Sequence, residues 1–307
     1  MTMFTPFRIH GCFLALISSP LLAISSFAQA SINTLVSIAP QAYCVQRVGG
    51  DHVTVTTLLP PGASPATYSL APAQVEALSQ AELYFRIGVP FEYKILEHIQ
   101  LYFPKIEIVD TCEDISLREV TEPHSHGSAH HCLHLHEDSK DPHTWLDPRL
   151  VKIQTAAMSA AIARRLPEHR ATFAANLSRF HGELDRLDRD IRLLLAPFNG
   201  REFFVSHPAY GYLAAAYGLK QHALEFAGKT PSPRQLAALI ARAQAQDVNA
   251  IFVQPQFSTR NAEFLAHQIG ATLVPLDPLA EDYVDNLRLI AHRLADGLSP
   301  IFVSKDS

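Results

Sequence analysis

Clusters of basic residues are absent from this chain of 307 residues. Its 25 lysines and arginines are outnumbered by 30 aspartates and glutamates, which gives a formal net charge of −5. A protein that binds nucleic acid needs lysine and arginine gathered on one surface to neutralise phosphates. The charge pattern therefore argues against a nucleic-acid partner.

Common catalytic motifs are missing as well. The sequence contains no HExxH pair, no nucleophile elbow and no glycine-rich loop of the kind that holds nucleotide phosphates. A protein without these groups has no evident means of hydrolysing a peptide, an ester or ATP. We therefore predict a binding protein, not an enzyme.

Long uninterrupted apolar runs are also lacking. The most apolar segment, Cys12–Phe27, is short and interrupted by serines and by Pro20, which disfavours a membrane anchor. Arg8 lies in the polar start before it, and Ala28-Gln29-Ala30 provides small residues at a cleavage position. We predict that residues 1–30 are a signal peptide, cleaved after about Ala30, and that the mature protein is periplasmic.

Cysteine is scarce, since only Cys44, Cys112 and Cys132 remain after the predicted cleavage. Export permits a disulfide, and Cys112 with Cys132 would close a loop in the middle of the chain. Cys132 could equally bind a metal ion. Cys44 is better explained as a small, buried apolar residue.

Short apolar, β-branched runs alternate with helical patterns twice along the mature chain. This alternation predicts an α/β protein of two lobes, each a parallel-type sheet flanked by helices. The predicted strands are Ile32–Ala39, Val53–Leu59, Leu83–Ile87 and Ile106–Val109 in the first lobe, and Phe203–Ser206, Gln221–Phe226, Ala250–Val253 and Thr272–Leu276 in the second.

One long amphipathic helix is predicted between the two lobes. From Pro167 to Leu195, apolar residues recur every three or four positions, with charged residues between them. Such a helix would be ~40 Å long and would allow little hinge motion; a coiled-coil dimer is the competing interpretation. We predict an N-terminal lobe at residues 31–148, linking helices at 149–198 and a C-terminal lobe at 199–307.

A histidine-rich segment closes the first lobe. Residues 121–140 lack apolar periodicity and are rich in serine, glycine and acidic residues, so we predict a solvated loop. Dense imidazoles favour zinc, copper or nickel, and a loop of this kind suits metal collection. Seven of the sixteen histidines fall between residues 121 and 143: His124, His126, His130, His131, His134, His136 and His143.

Two histidines and one aspartate have better-defined positions. His143 lies between two prolines in the segment Asp141–Pro148, and His207 and Asp277 each follow a predicted strand and precede a proline. In open parallel sheets, ligands bind at the carboxyl ends of the strands, so these side chains can converge between the lobes. Two imidazoles and a carboxylate suit zinc. We predict that His143, His207 and Asp277 bind a metal ion.

Several segments resemble the zinc- and manganese-specific solute-binding receptors of ABC importers, the ZnuA-like family. The resemblance implies two α/β lobes joined by one long helix, with a metal ion in the interlobe cleft. It also implies that His143, His207 and Asp277 are the ligands and that histidine at position 207 favours Zn2+ over Mn2+. The similar stretches are Leu58–Pro65, Asp141–Pro148, Ser206–Tyr212, Phe252–Phe257 and Pro275–Leu279.

One position departs from the family pattern. The residue after Ser64-Pro65 is usually a metal-binding histidine in this family, and here it is Ala66. Zinc prefers four ligands, so the predicted three need a partner. Water, Glu92 or a histidine of the loop could complete the set. The alternative is that the cleft site has changed and that the loop is the main metal binder.

The resemblance implies an extracytoplasmic, monomeric solute-binding protein that captures Zn2+ as transported ligand. It would deliver the ion to an ABC importer permease in the inner membrane. Two other functions stay open: a periplasmic zinc buffer or metal chaperone without an importer, and a metallohydrolase, because a catalytic zinc also has three protein ligands and a water. Neighbouring genes for a permease and an ATPase would distinguish a receptor from a buffer.

Overall fold

The computed structural model describes Met1 and residues 31–119, 140–225 and 231–300. The predicted signal peptide after Met1 and the predicted histidine-rich loop before Lys140 lie outside the described residues. Within the described ranges, no helix is both long enough and apolar enough to span a bilayer.

The first lobe contains a parallel sheet of four strands in the order β2-β1-β3-β4. In register, Val36 of the central strand β1 pairs with Thr57 on one side and Phe85 on the other. The elements in chain order are β1 (Ile32–Val36), α1 (Ala39–Gly49), β2 (Val53–Thr57), α2 (Pro72–Gln80), β3 (Leu83–Arg86), α3 (Glu92–Tyr102) and β4 (Glu107–Asp110).

Two helices lead to the second lobe, α4 (Pro148–Arg165) and α5 (Arg170–Leu195). That lobe repeats the parallel arrangement, with the strand order β6-β5-β7-β8. The predicted two-lobe α/β class is confirmed. The remaining elements are β5 (Glu202–Val205), α6 (Gly211–Tyr217), β6 (Lys220–Ala223), α7 (Pro233–Ala245), β7 (Ala250–Val253), α8 (Arg260–Ile269), β8 (Thr272–Pro275) and α9 (Tyr283–Leu298).

Each sheet has a topological switch point, the place where the strand order reverses, at the equivalent position. In each, the first strand pairs with the second strand on one side and the third strand on the other. The connections leave the central pair in opposite directions, which opens a crevice at the carboxyl ends of these strands. The crevices lie at the ends of β1 and β3 in the first lobe and of β5 and β7 in the second.

The predicted interlobe helix is α5. Its 26 residues correspond to ~39 Å at the usual rise. It packs against α1, α4 and α9. The apolar seam is therefore covered within the same chain, which agrees with the linking helix and not with the coiled-coil dimer. The seam residues buried in this packing are Phe173, Phe180, Leu184, Leu187, Ile191 and Leu195.

The strands of the second sheet contribute alternate residues to two hydrophobic clusters. Phe203 and Phe252 belong to the large core shared with the first lobe, whereas Phe204 and Ile251 belong to a smaller cluster under α7 and α8. This period of two is what a strand buried on both faces requires. The helices α6 and α9 were not predicted, although buried Val284, Leu287, Ile290, Ala291 and Leu294 give α9 a helical apolar spacing.

Cys44 and Cys112 are both buried free thiols. The sulfur of Cys112 lies 3.5 Å from Thr144 Oγ1 and 3.4 Å from Gln154 Nε2. Burial raises the pKa of Cys44 to about 12, which leaves it as an unreactive packing residue, as predicted. Cys132 lies outside the described residues.

Candidate metal centre

His143 is fixed by the short segment that leads into α4. Thr144, Trp145 and Leu146 form a buried 3-10 turn, and Asp147 caps α4 by accepting a hydrogen bond from the backbone N–H of Arg149. These contacts hold the backbone of His143, whose side chain is 15% exposed. An imidazole that is mostly buried but keeps some exposure, on a fixed turn, is suited to binding a ligand at the surface of a cleft.

The imidazole of His143 is oriented by Asp141. Oδ1 of Asp141 lies 2.7 Å from His143 Nδ1 and also accepts the backbone N–H of His143 at 3.0 Å. The backbone carbonyl of Asp141 accepts a hydrogen bond from the hydroxyl of Tyr212 at 3.0 Å. Tyr212 belongs to α6, so the segment that holds His143 is attached to the second lobe.

His207 lies at the switch point of the second sheet, two residues after β5. Its backbone N–H donates to Gln254 Oε1 at 3.0 Å, and Gln254 Nε2 donates to its carbonyl at 2.8 Å. The ring stacks on Phe257 with centroids 4.3 Å apart and planes 13° apart. Its Nδ1 lies 3.1 Å from Glu225 Oε2.

Burial lowers the pKa of His207, and the neighbouring His143 also lowers it, while the contact with Glu225 opposes them. The ring is consequently neutral at neutral pH. Only a neutral imidazole can donate a lone pair to a metal ion.

The two histidines lie next to each other, with ring centroids 5.4 Å apart. Each has a carboxylate at Nδ1, which leaves Nε2 as the nitrogen that can bind a metal ion. Metal-binding histidines characteristically donate the second ring N–H to a carboxylate, since this fixes the tautomer and raises ligand basicity. Asp141 and Glu225 supply this arrangement for His143 and His207 respectively.

Asp277 lies two residues after β8, the edge strand that pairs with β7 in the same sheet. Its Oδ1 accepts hydrogen bonds from Gln256 Nε2 at 2.7 Å and from the backbone N–H of Leu279 at 2.9 Å. The next residue, Pro278, accepts a hydrogen bond from Trp145 Nε1 at 2.8 Å. Asp277 is therefore connected to the turn of His143 through Trp145.

The structure thus brings His143 and His207 into one pair, and it places Asp277 in the surrounding network without a direct contact to either ring. As they stand, the side chains in the described ranges contain no group of three or more His, Cys, Asp or Glu that could hold a metal ion. The assignment of His143, His207 and Asp277 as metal ligands stays a prediction.

The family described as the periplasmic zinc-uptake complex component A, ZnuA, matches residues 35–297. The chain belongs to the ZnuA family. It is 29% identical over 263 residues to a putative metal-binding protein of Chlamydia trachomatis, covering 85% of this chain and 90% of that one. It is 26% identical over 286 residues to the high-affinity zinc uptake system protein ZnuA of Yersinia pestis, covering 88% and 90%.

A solved structure supports the same family assignment. The crystal structure of a ZnuA superposes with a TM-score of 0.80 at 35% identity, and the match covers 88% of this chain and all of that one. The two-lobe architecture with a long connecting helix is therefore the ZnuA fold.

Glu92, a candidate for the fourth metal ligand, is already hydrogen-bonded inside the first lobe. It is 1% exposed, and its carboxylate accepts hydrogen bonds from Ser37 Oγ and from the backbone N–H groups of Ile87 and Gly88. Burial raises its pKa to about 7, although these three hydrogen bonds oppose the shift. Glu92 therefore serves the interior of the first lobe.

Ala66 lies in an exposed turn, in which Ser64 O accepts the N–H of Thr67 at 3.2 Å. Nearby Tyr68 donates its hydroxyl to Gln74. Neither side chain supplies a ligand in place of the histidine that the resemblance to the family implies at position 66. The histidines of the loop lie outside the described residues.

Sequence reasoning missed the residues that support the predicted ligands: Asp141, Glu225, Gln254, Gln256 and Phe257. Two of these residues can be inferred from the local sequence: Asp141 precedes His143 by two residues, and Gln254 follows a predicted strand. Glu225 had no local signal, since its contact with His207 joins the ends of two strands that are separated along the sequence.

Proposed function

We propose that this chain captures Zn2+ in the interlobe cleft and delivers it to an ABC importer permease in the inner membrane. The single observation that carries the proposal is the His143–His207 pair, with a carboxylate at Nδ1 of each ring. An imidazole held in this way presents Nε2 to the ion. His143 belongs to the segment before α4 and His207 to the second lobe, so an ion bound by both would join the two parts of the cleft.

Asp277 is the third proposed ligand, through Oδ2, and water is the fourth. The carboxylate of Asp277 would neutralise one of the two positive charges of the ion. Water fits the fourth position because Ala66 supplies no donor atom and Glu92 is buried within hydrogen bonds of its own. Three protein ligands and a water form a complete tetrahedral zinc shell.

Membership of the ZnuA family supports the transport role, and the names of the relatives support zinc as the cargo. The protein would bind and release its cargo without transforming it, as a monomer in the periplasm after removal of residues 1–30. ATP hydrolysis would belong to a separate subunit of the importer.

The test is calorimetric zinc titration of the mature protein and of His143→Ala and His207→Ala. We expect each substitution to weaken zinc binding by about 100-fold or more, beyond the usual effect of losing an outer partner. His98→Ala is the matched control, because His98 is an exposed histidine on α3 whose Nδ1 contacts Lys94 O. Unchanged tight binding in both cleft variants would reject the proposed site.

A further inference from the structure

A short turn after β7 contacts both predicted ligands of the second lobe. This β7 turn comprises Gln254–Phe257. Gln254 makes two hydrogen bonds to the backbone of His207, Phe257 stacks on the imidazole of His207, and Gln256 binds the carboxylate of Asp277. The turn itself carries no histidine, cysteine or acidic residue. Its contacts are therefore those of a support for other ligands.

Gln256 and Leu279 together occupy one oxygen of Asp277. The two N–H donors lie 2.7 Å and 2.9 Å from Oδ1. The orientation of the Gln256 amide is determined by chemistry, since a carboxylate only accepts hydrogen bonds and the NH2 group must face it. The opposite atom, Gln256 Oε1, is buried without a hydrogen-bond partner in the described part of the chain. Oδ2 is the oxygen of Asp277 left for a metal ion.

The number of carboxylate oxygens that bind affects which metal ion a site prefers. Zinc is satisfied by four ligands, and a single carboxylate oxygen contributes one of them. Manganese favours six oxygen-rich ligands in an octahedral shell, for which a second oxygen from the same carboxylate is useful. An aspartate whose Oδ1 is held by two N–H groups therefore favours the ion with the lower coordination number.

We infer that Gln256 is a specificity-determining positioning residue, which holds Oδ1 of Asp277 so that only Oδ2 binds the metal ion and Zn2+ is favoured over Mn2+. This inference rests on the proposed function. Gln256 acts through Asp277 and does not itself bind the ion. Phe257, in the same turn, stacks on His207 and has no side-chain donor for the carboxylate of Asp277, so the two neighbours are expected to have different effects on metal preference.

The test measures Zn2+ and Mn2+ affinities by competition titration for the wild type and for Gln256→Leu. Removing the amide frees Oδ1 from one of its two donors. We expect zinc affinity to fall about 10- to 100-fold, as for other outer partners, and manganese affinity to change little, so that the zinc-to-manganese affinity ratio falls about tenfold or more. Absorption of the Co2+-loaded variant should lose intensity, because additional ligands weaken the visible bands of Co2+.

Phe257→Leu is the matched control from the same turn. It should weaken both metals in parallel and leave the ratio of affinities within about threefold of the wild-type value. Gln256→Met, of similar length and also without a donor, repeats the test if Gln256→Leu does not fold, and thermal melting of the metal-free proteins checks folding.

The outcomes distinguish the two proposals. A wild type that binds no zinc would overturn the proposed function and this inference together. Zinc binding in the wild type, with an unchanged affinity ratio in the folded Gln256 variants, would overturn this inference alone. An equal change of ratio in Phe257→Leu would also overturn it, because the phenyl ring of Phe257 donates no hydrogen bond to Asp277 Oδ1.

Discussion

The ends of β1 and β3 in the first lobe are equivalent to the ends of β5 and β7 in the second. At both places a glutamine side chain joins the strands: Gln41 binds Ser37 N and Phe85 O, and Gln254 binds the backbone of His207. In the first lobe, Glu92 occupies the crevice, and its carboxylate accepts hydrogen bonds from groups of the same lobe. In the second, His207 fills it and keeps Nε2 available.

This difference separates a switch point whose polar groups are satisfied internally from one that, under the proposed function, binds the metal ion. The same strand order produces the same crevice, but the residue placed there decides whether its polar atoms are satisfied by the protein or left to a ligand. Ala66, in the turn after β2, carries this contrast further, because position 66 also offers no ligand side chain where the resemblance to the family implies a histidine. The predictions that follow test each side of the contrast.

The largest expected effect is on the stability of the first lobe. Glu92→Ala removes the acceptor of three buried donors and should lower the free energy of unfolding by about 3–5 kcal/mol. Zinc affinity of the folded fraction should not change. Urea unfolding of the metal-free protein and zinc titration measure the two effects, with exposed Glu97→Ala on the same helix as control. A fall in zinc affinity with intact folding would instead make Glu92 part of the binding site.

The pH dependence of stability should report the same buried carboxyl group. The folded pKa of Glu92 is about 7 against an ordinary value of 4.5. Between these values the folded state holds a proton that the unfolded state releases, so the free energy of unfolding should fall as pH rises. The loss attributable to Glu92 is on the order of 3 kcal/mol. Unfolding at pH 5 and pH 8 should show a smaller fall in Glu92→Gln than in the wild type; identical falls would contradict the prediction.

On the second lobe, Glu225 should affect metal binding and not folding. Glu225→Ala removes the carboxylate at Nδ1 of His207, and zinc affinity should fall about 10- to 100-fold. Glu225→Gln keeps an acceptor and should lose less. Glu263→Ala, an acidic residue in the first turn of α8 that accepts from Thr259 Oγ1, is the control for loss of one negative charge. Equal zinc affinities in all three would show that Glu225 does not support His207.

The smallest expected effect comes from adding a ligand to the turn after β2. Ala66→His restores the family's usual residue in an exposed turn, and it should replace water in the zinc shell. We expect zinc affinity to rise about tenfold, or about 1.4 kcal/mol. Ala66→Leu has no donor atom and serves as control. An unchanged affinity in Ala66→His would mean that position 66 does not reach the ion in this protein.

Much of the framework could be predicted from periodicity. The strand Ala250–Val253 is correct at both ends, because a short apolar run bounded by polar residues has only one placement. The long helix was predictable from its apolar seam. Helix α6 was not, since its seven residues are mostly alanine and tyrosine and show no clear periodicity.

The site was less predictable, for a physical reason. That His143 and His207 lie together could be predicted, because prolines and a strand end mark their positions in the local sequence. Glu225 contacts His207, and Gln256 contacts Asp277, from different strand ends. Such contacts depend on the order of the strands in the sheet. The local sequence allows Glu92 to be a ligand, because it contains no sign that Ser37, from another strand end, donates a hydrogen bond to its carboxylate.

Trp145 is the only tryptophan in the chain. Its indole N–H is hydrogen-bonded to Pro278 O beside Asp277, and its ring centroid lies 5.2 Å from that of His143. The protein thus carries one indole, located where the turn of His143 meets the strand end of Asp277. Excited at wavelengths that the nine tyrosines do not absorb, this indole gives an optical signal from that place, so metal loading can be followed in real time without a label.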